Sequence, residues 1–148
     1  MKYGVYVNQL SWLYHYPDAT TKHIILFEYM KDFIDSDNYK IVRCDKGTWI
    51  SKKKIIIDLP ILRISTRSGI TNLISQLVKW KIIERNTIVD SDSKLKKTYY
   101  TITETARDNL LKEISGEEKT RMAEVVKKRF ANKKYRYKSK KNKDNTDK

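Results

Sequence analysis

A single cysteine, Cys44, in 148 residues leaves no internal disulfide and no cysteine-based metal cluster, which fits a reducing compartment. The two histidines, His15 and His23, stand at no ligand spacing to each other or to an acid. Each is expected as a surface or edge residue, and no metal is expected. Asp35, Asp37 and Asp45 lack the spacing of an EF-hand and read as solvated turn residues. The four glycines, Gly4, Gly47, Gly69 and Gly116, are too scattered to form a phosphate-cradling loop, so ATP hydrolysis is not expected. No apolar run nears the roughly 20 residues of a membrane-spanning helix, and the N-terminus lacks the apolar core of a signal peptide. The expectation is a cytoplasmic protein with no membrane partner, no cofactor and no enzymatic activity. The ten tyrosines do not change this, because a tyrosine nucleophile needs basic or metal-binding partners that no motif supplies.

Positive charge, by contrast, is abundant. The formal net charge of +14 implies attraction to a polyanion, with nucleic acid first among the candidates. An A·T-rich coding sequence is a second sufficient cause of lysine excess, so the distribution matters more than the total. From Lys119 onward there are 13 Lys/Arg against 3 Asp/Glu, leaving 19 against 15 for the preceding residues. The segment NKKYRYKSKKNKDNTDK after Ala131 has no aliphatic residue and no periodicity, and reads as a disordered basic tail. Three parts are expected: a folded domain over residues 1–116, a basic amphipathic helix over 117–131, and the tail over 132–148.

Within the folded part, YGVYVNQLSWL is aromatic and β-branched enough for a short strand or extended arm, closed by Pro17-Asp18. TTKHIILFEYMKDFI repeats apolar residues at three and four, predicting a first helix capped by Thr20 or Thr21. A short strand at Gly47-Thr-Trp-Ile precedes a second helix with Ser51 as N-cap, which Pro60 ends or bends. After a short turn the third helix runs from Thr66 to about Trp80. Its apolar stripe is Ile70, Leu73, Ile74, Leu77 and Val78, and Arg67, Ser68, Thr71, Asn72, Ser75, Gln76 and Lys79 occupy the other side.

No Asp or Glu occurs between Leu59 and Ile83. A purely solvated helix face gains from mixing both signs at i,i+4, whereas an acid-free face suits phosphates and base edges. Next, IIERNTIV and KKTYYTIT read as a hairpin around DSDSKLK, with Lys94, Lys96 and Lys97 on its descending edge and Asp90 and Asp92 on its ascending side. ETARDNLLKEI, capped by Thr103, predicts a fourth helix whose Ala106, Leu110 and Ile114 cover the sheet. The expected fold is α+β, mainly α: a winged helix-turn-helix with an N-terminal arm or strand, an extra C-terminal helix and a disordered basic tail.

The run GTWISKKKIIIDLPILRISTRSGITNLISQLVKWKIIER, with Tyr99-Tyr100 beyond it, resembles the N-terminal winged-helix domain of phage and plasmid replication initiators and replisome organisers. The resemblance spans roughly Gly47 to Thr103. Its carriers are the aromatic-Ile-Ser entry, Asp58-Leu59-Pro60-Ile61, the Ser/Thr-opened third helix, and Leu77-Val78 followed by Ile82-Ile83-Glu84. One departure is that Trp80-Lys81 replaces the glycine that commonly ends the third helix. The resemblance implies double-stranded DNA as ligand and a helicase or helicase loader as protein partner. DNA contacts are expected at Arg63, Ser65, Thr66, Arg67, Ser68, Thr71, Asn72, Ser75, Gln76, Lys79, Lys94, Lys96 and Lys97. The alternatives are a MarR-like winged-helix transcription regulator and a protein-binding winged helix. Regulators pair through long terminal helices, and the thin stripe Met122, Val125, Val126 and Phe130 predicts a monomer or weak homodimer instead.

Overall fold

The computed structural model describes the backbone of residues 8–146 and the side chains of residues 8–131. The fold is α+β and mainly helical, with one four-stranded antiparallel sheet, and is compatible with a winged-helix-like arrangement. Its helices are α1 (Gln9–His15), α2 (Thr21–Asp35), α3 (Lys52–Asp58), α4 (Arg67–Lys79), α5 (Glu104–Ala106) and α6 (Gly116–Thr146). The strands are β1 (Arg43–Cys44), β2 (Gly47–Trp49), β3 (Ile83–Val89) and β4 (Lys96–Ile102), in sheet order β1-β2-β4-β3. β1 is an addition to the expected set, and it pairs with β2 through Cys44 opposite Gly47. Gly47 holds φ 127°, and a Cβ there would meet the Tyr100 carbonyl oxygen at 2.5 Å, so only glycine lets β2 approach β4.

The core lies where α2, α3 and α4 meet the sheet. Leu26, Phe27 and Met30 of α2, Ile55 of α3, Ile70, Ile74 and Leu77 of α4, and Ile83, Tyr100 and Ile102 of the sheet are all buried. Tyr29 and Asp58 tie the first two of these helices together: the tyrosine hydroxyl donates to Asp58 Oδ2 at 2.7 Å, and Lys54 Nζ sits 3.0 Å from the same oxygen. These two partners hold the Asp58 carboxyl below its ordinary range, the tyrosine bond contributing most.

Several expectations are corrected. Where an arm or strand was expected, Gln9–His15 is helical; Tyr3 to Val7 of that segment lie outside the described residues. The Asn8 side chain accepts from the Ser11 N–H, and Trp12 is buried edge-on against Phe27, so capping and one large anchor outweigh local β-propensity. The fourth helix is only the single turn α5, widening into a π turn over Arg107–Leu111. Its wide turn is pinned by Arg107 to Asp35 and by Asn109 to the Tyr16 hydroxyl, while Ala106 and Leu110 reach the core and Ile114 falls in the following linker.

Where a disordered tail was expected from residue 132, α6 continues without a break to Thr146. Neither proline nor glycine follows Gly116, so nothing in the backbone stops a helix already started. The start is anchored within the chain. Met122 and Val126 are buried where α6 packs on α1, and Arg129 donates to the Tyr14 carbonyl at 2.8 Å with its guanidinium over the Tyr14 ring. Half of the apolar stripe that could have paired two copies is therefore covered by the chain's own first helix.

The missing glycine after α4 is replaced by a strained lysine. The Ile82 N–H reaches the Leu77 carbonyl and the Lys81 N–H the Val78 carbonyl, each at 3.0 Å, which forms a Schellman cap with Lys81 in the left-handed region at φ 58°. Leu77 and Ile82, the two residues joined by its longer-span bond, are both fully buried. Left-handed geometry costs a non-glycine residue about 1–2 kcal/mol, partly offset by the extra freedom glycine gives the unfolded chain. Lys81→Gly should thus raise stability by roughly 0.5–1 kcal/mol and Lys81→Val should lower it. Urea denaturation checks this through a shifted midpoint at unchanged slope.

Candidate nucleic-acid interface

Helix α4 owes its position to its two faces. Thr66 caps it, its hydroxyl oxygen accepting from the Gly69 N–H at 3.2 Å. Gly69 has no room for a side chain, because a Cβ would lie 2.5 Å from the Ile64 methyl of the preceding turn. At about 100° per residue, Ser68, Asn72, Ser75 and Lys79 fall in one row opposite the buried Ile70, Ile74 and Leu77. Arg67 and Thr71 flank that row on one side and Gln76 on the other. The turn before α4 is longer than expected, running from Leu59 to Thr66. Pro60 opens a 3-10 turn there rather than simply stopping α3.

Of the thirteen predicted DNA-facing residues, α4 gathers Arg67, Ser68, Asn72, Ser75 and Lys79 on its outward side. Arg63, Ser65 and Thr66 lie in the turn leading into it, with Arg63 in the left-handed region at φ 54°. Some hydroxyl and amide groups are already engaged. Thr66 serves as the cap, and Thr71 donates back to the Arg67 carbonyl at 2.8 Å. Gln76 is bonded through its side-chain oxygen to His23 Nε2. His23 is thus no surface residue: it is 5 % exposed, lies against Trp80 and completes the N-terminal capping of α2.

The strand register divides the hairpin lysines. Arg85 pairs with Tyr100 and Val89 with Lys96, which puts Arg85 and Lys96 on the face of the hairpin that Ile83 and Tyr100 turn towards the core. Lys97 belongs to the opposite face, where its ammonium sits 5.5 Å from the Trp49 ring centroid. Lys94 occupies the hairpin end at φ 55°. Lys97 is therefore separated from the α4 side, and the three lysines do not form one edge.

Sequence reasoning missed Arg85. Its guanidinium donates to the Ser75 hydroxyl at 3.0 Å, placing an exposed cation from β3 beside the centre of the α4 row. The signal was available in the alternation from the buried Ile83, which assigns residue 85 to the same face. The same alternation turns Glu84, the first acid after α4, to the other face. The last acid before α4, Asp58, is neutralised by Lys54. Asp90 is likewise absorbed locally: the Asp92 N–H and the Ser93 hydroxyl bond its carboxylate and hold its pKa below the ordinary range. The acid-free stretch of sequence thus becomes a surface of polar and basic groups whose neighbouring acids Asp58, Glu84 and Asp90 are paired or turned away.

Compared with known protein families, curated proteins and solved structures, the chain matches none. Among the described residues, no helix is long and apolar enough to cross a membrane.

The link from α2 to α3 sets the platform on which α4 rests, and it is pH-dependent. Asp58 titrates below its unfolded value, so its contribution is present above the unfolded carboxylate pKa near 3.9 and is lost as pH falls through the lower folded value. Tyr29→Phe should cost about 1 kcal/mol at neutral pH. The stability gap between wild type and variant should close as the pH is lowered through that range, measured by denaturation at a series of pH values.

Proposed function

We propose that this protein is a winged-helix double-stranded DNA-binding protein of a phage or plasmid, acting in replication initiation or its accessory control. The observation that carries the reading is the outward α4 row with Arg85 beside it, on a helix that itself holds no acid. A helix of this diameter fits the major groove, where Arg pairs with guanine and Asn with adenine. The replication role rests on the resemblance of Gly47 to Thr103 to replisome organisers. A helicase or helicase loader is the protein partner that role requires. The MarR-like alternative calls for pairing through a terminal helix, and burial of Met122 and Val126 against α1 favours the first reading. We take the free protein as a monomer or weak dimer.

Arg67→Ala and Asn72→Ala should each weaken binding to a selected site by about 1–3 kcal/mol while sparing nonspecific binding. Selection from randomised duplexes followed by titration tests this, and wild-type affinity in both variants would remove α4 as the reader.

The basic residues after Ala131 supply sequence-independent affinity. Ending the chain after Ala131 removes Lys133, Lys134, Arg136, Lys138, Lys140, Lys141, Lys143 and Lys148 against only Asp144 and Asp147. The slope of log affinity against log salt should flatten by about 0.9 for each phosphate that is no longer neutralised. An unchanged slope would mean that the segment after Ala131 does not touch DNA.

A further inference from the structure

We infer that Gln76 reads the hydrogen-bond acceptors of a guanine edge and not adenine, because His23 fixes its carboxamide with the oxygen turned into the protein. This rests on α4 meeting base edges in the major groove. The orientation follows from bonding alone. The Thr20 backbone N–H can only donate, and it meets His23 Nδ1 at 3.0 Å, so Nδ1 carries a lone pair. The Thr20 hydroxyl lies 2.8 Å from the same nitrogen and can donate to it as well. A neutral imidazole with a free Nδ1 holds its proton on Nε2. Nε2 is the atom that meets Gln76, and an N–H there requires the carboxamide oxygen opposite it.

Burial makes this arrangement persistent. The imidazole is 5 % exposed and its ring centroid is 4.8 Å from that of Trp80, so it cannot swing away without breaking the cap of α2. The Gln76 side chain is exposed and its amide nitrogen is the end left for a ligand. Glutamine recognises adenine by accepting from N6 and donating to N7 with one carboxamide. His23 takes one of the oxygen's two lone pairs and turns the oxygen towards a buried ring, so the two amide N–H donors are the groups presented outward. Guanine offers two acceptors, N7 and O6, on its major-groove edge.

The test is a binding-site selection from randomised duplexes with the full chain, for wild type, Gln76→Lys and Gln76→Glu. Affinities are then measured on duplexes changed at single positions. Wild type and the donor-only Gln76→Lys should share a guanine at one position, with a guanine-to-adenine change costing roughly tenfold. The acceptor-only Gln76→Glu should lose that preference and favour cytosine on the same strand. Adenine preferred by wild type there, or no position whose preference follows residue 76, overturns the inference while leaving DNA binding intact. A second arm uses no DNA: nitrogen–proton correlation spectra of the histidine rings should show His23 as the Nε2–H tautomer, and an Nδ1–H tautomer overturns the inference directly. A wild-type chain that selects no duplex overturns the DNA reading, and the guanine assignment with it. The histidine spectra would then still decide the orientation of Gln76.

Discussion

Burial of one side of α4 is the constraint on which the rest of the structure depends. Ile70, Ile74 and Leu77 are sealed beneath α2 and α3, and full burial of each is worth about 1.5–3 kcal/mol. The same three residues settle which side chains face out, because a helix pinned along one stripe cannot rotate without exposing it. Core energetics and surface chemistry are therefore one decision. The Schellman cap extends this control past the helix end: by fixing where the chain turns at Lys81, it sets which residues of β3 return to the core, and so puts Arg85 beside Ser75.

How acids are handled is the second organising theme. A chain with 18 Asp and Glu residues could easily border α4 with negative charge, yet the nearby carboxylates are dealt with in different ways. Asp58 is bonded to Tyr29 and Lys54, Glu84 is turned aside by the pleat, and Asp90 organises its own hairpin end. Asp92, also at that end, stays exposed. The excess of basic over acidic groups around α4 thus comes from pairing or turning away acids as much as from adding cations.

Elements with strong period and clear caps were legible in the sequence. α2, α3 and α4 begin at Thr21, Lys52 and Arg67, directly after the Thr20, Ser51 and Thr66 caps, and the hairpin strands lie where β-branched and tyrosine residues alternate. α1 was not legible, since its formation depends on Trp12 finding Phe27 from another element. The same holds for the π turn, which is pinned by partners distant in sequence, Asp35 and Tyr16. At the candidate site, the outward row of α4 followed from periodicity. The engagement of Gln76 by His23 did not, because a pair 53 residues apart leaves no local trace.

Among the described residues, the non-glycine positions with positive φ are Arg63, Lys81 and Lys94: one enters α4, one leaves it, and one stands at the hairpin end. Each of these reversals would be easier for glycine, yet none of the chain's four glycines is there. At these three chain reversals backbone comfort has been exchanged for a cationic side chain, at about 1 kcal/mol apiece. The molecule is accordingly less stable than its own topology permits, and the deficit sits at reversals that flank the helix and end the hairpin, where a single substitution to glycine would recover part of it.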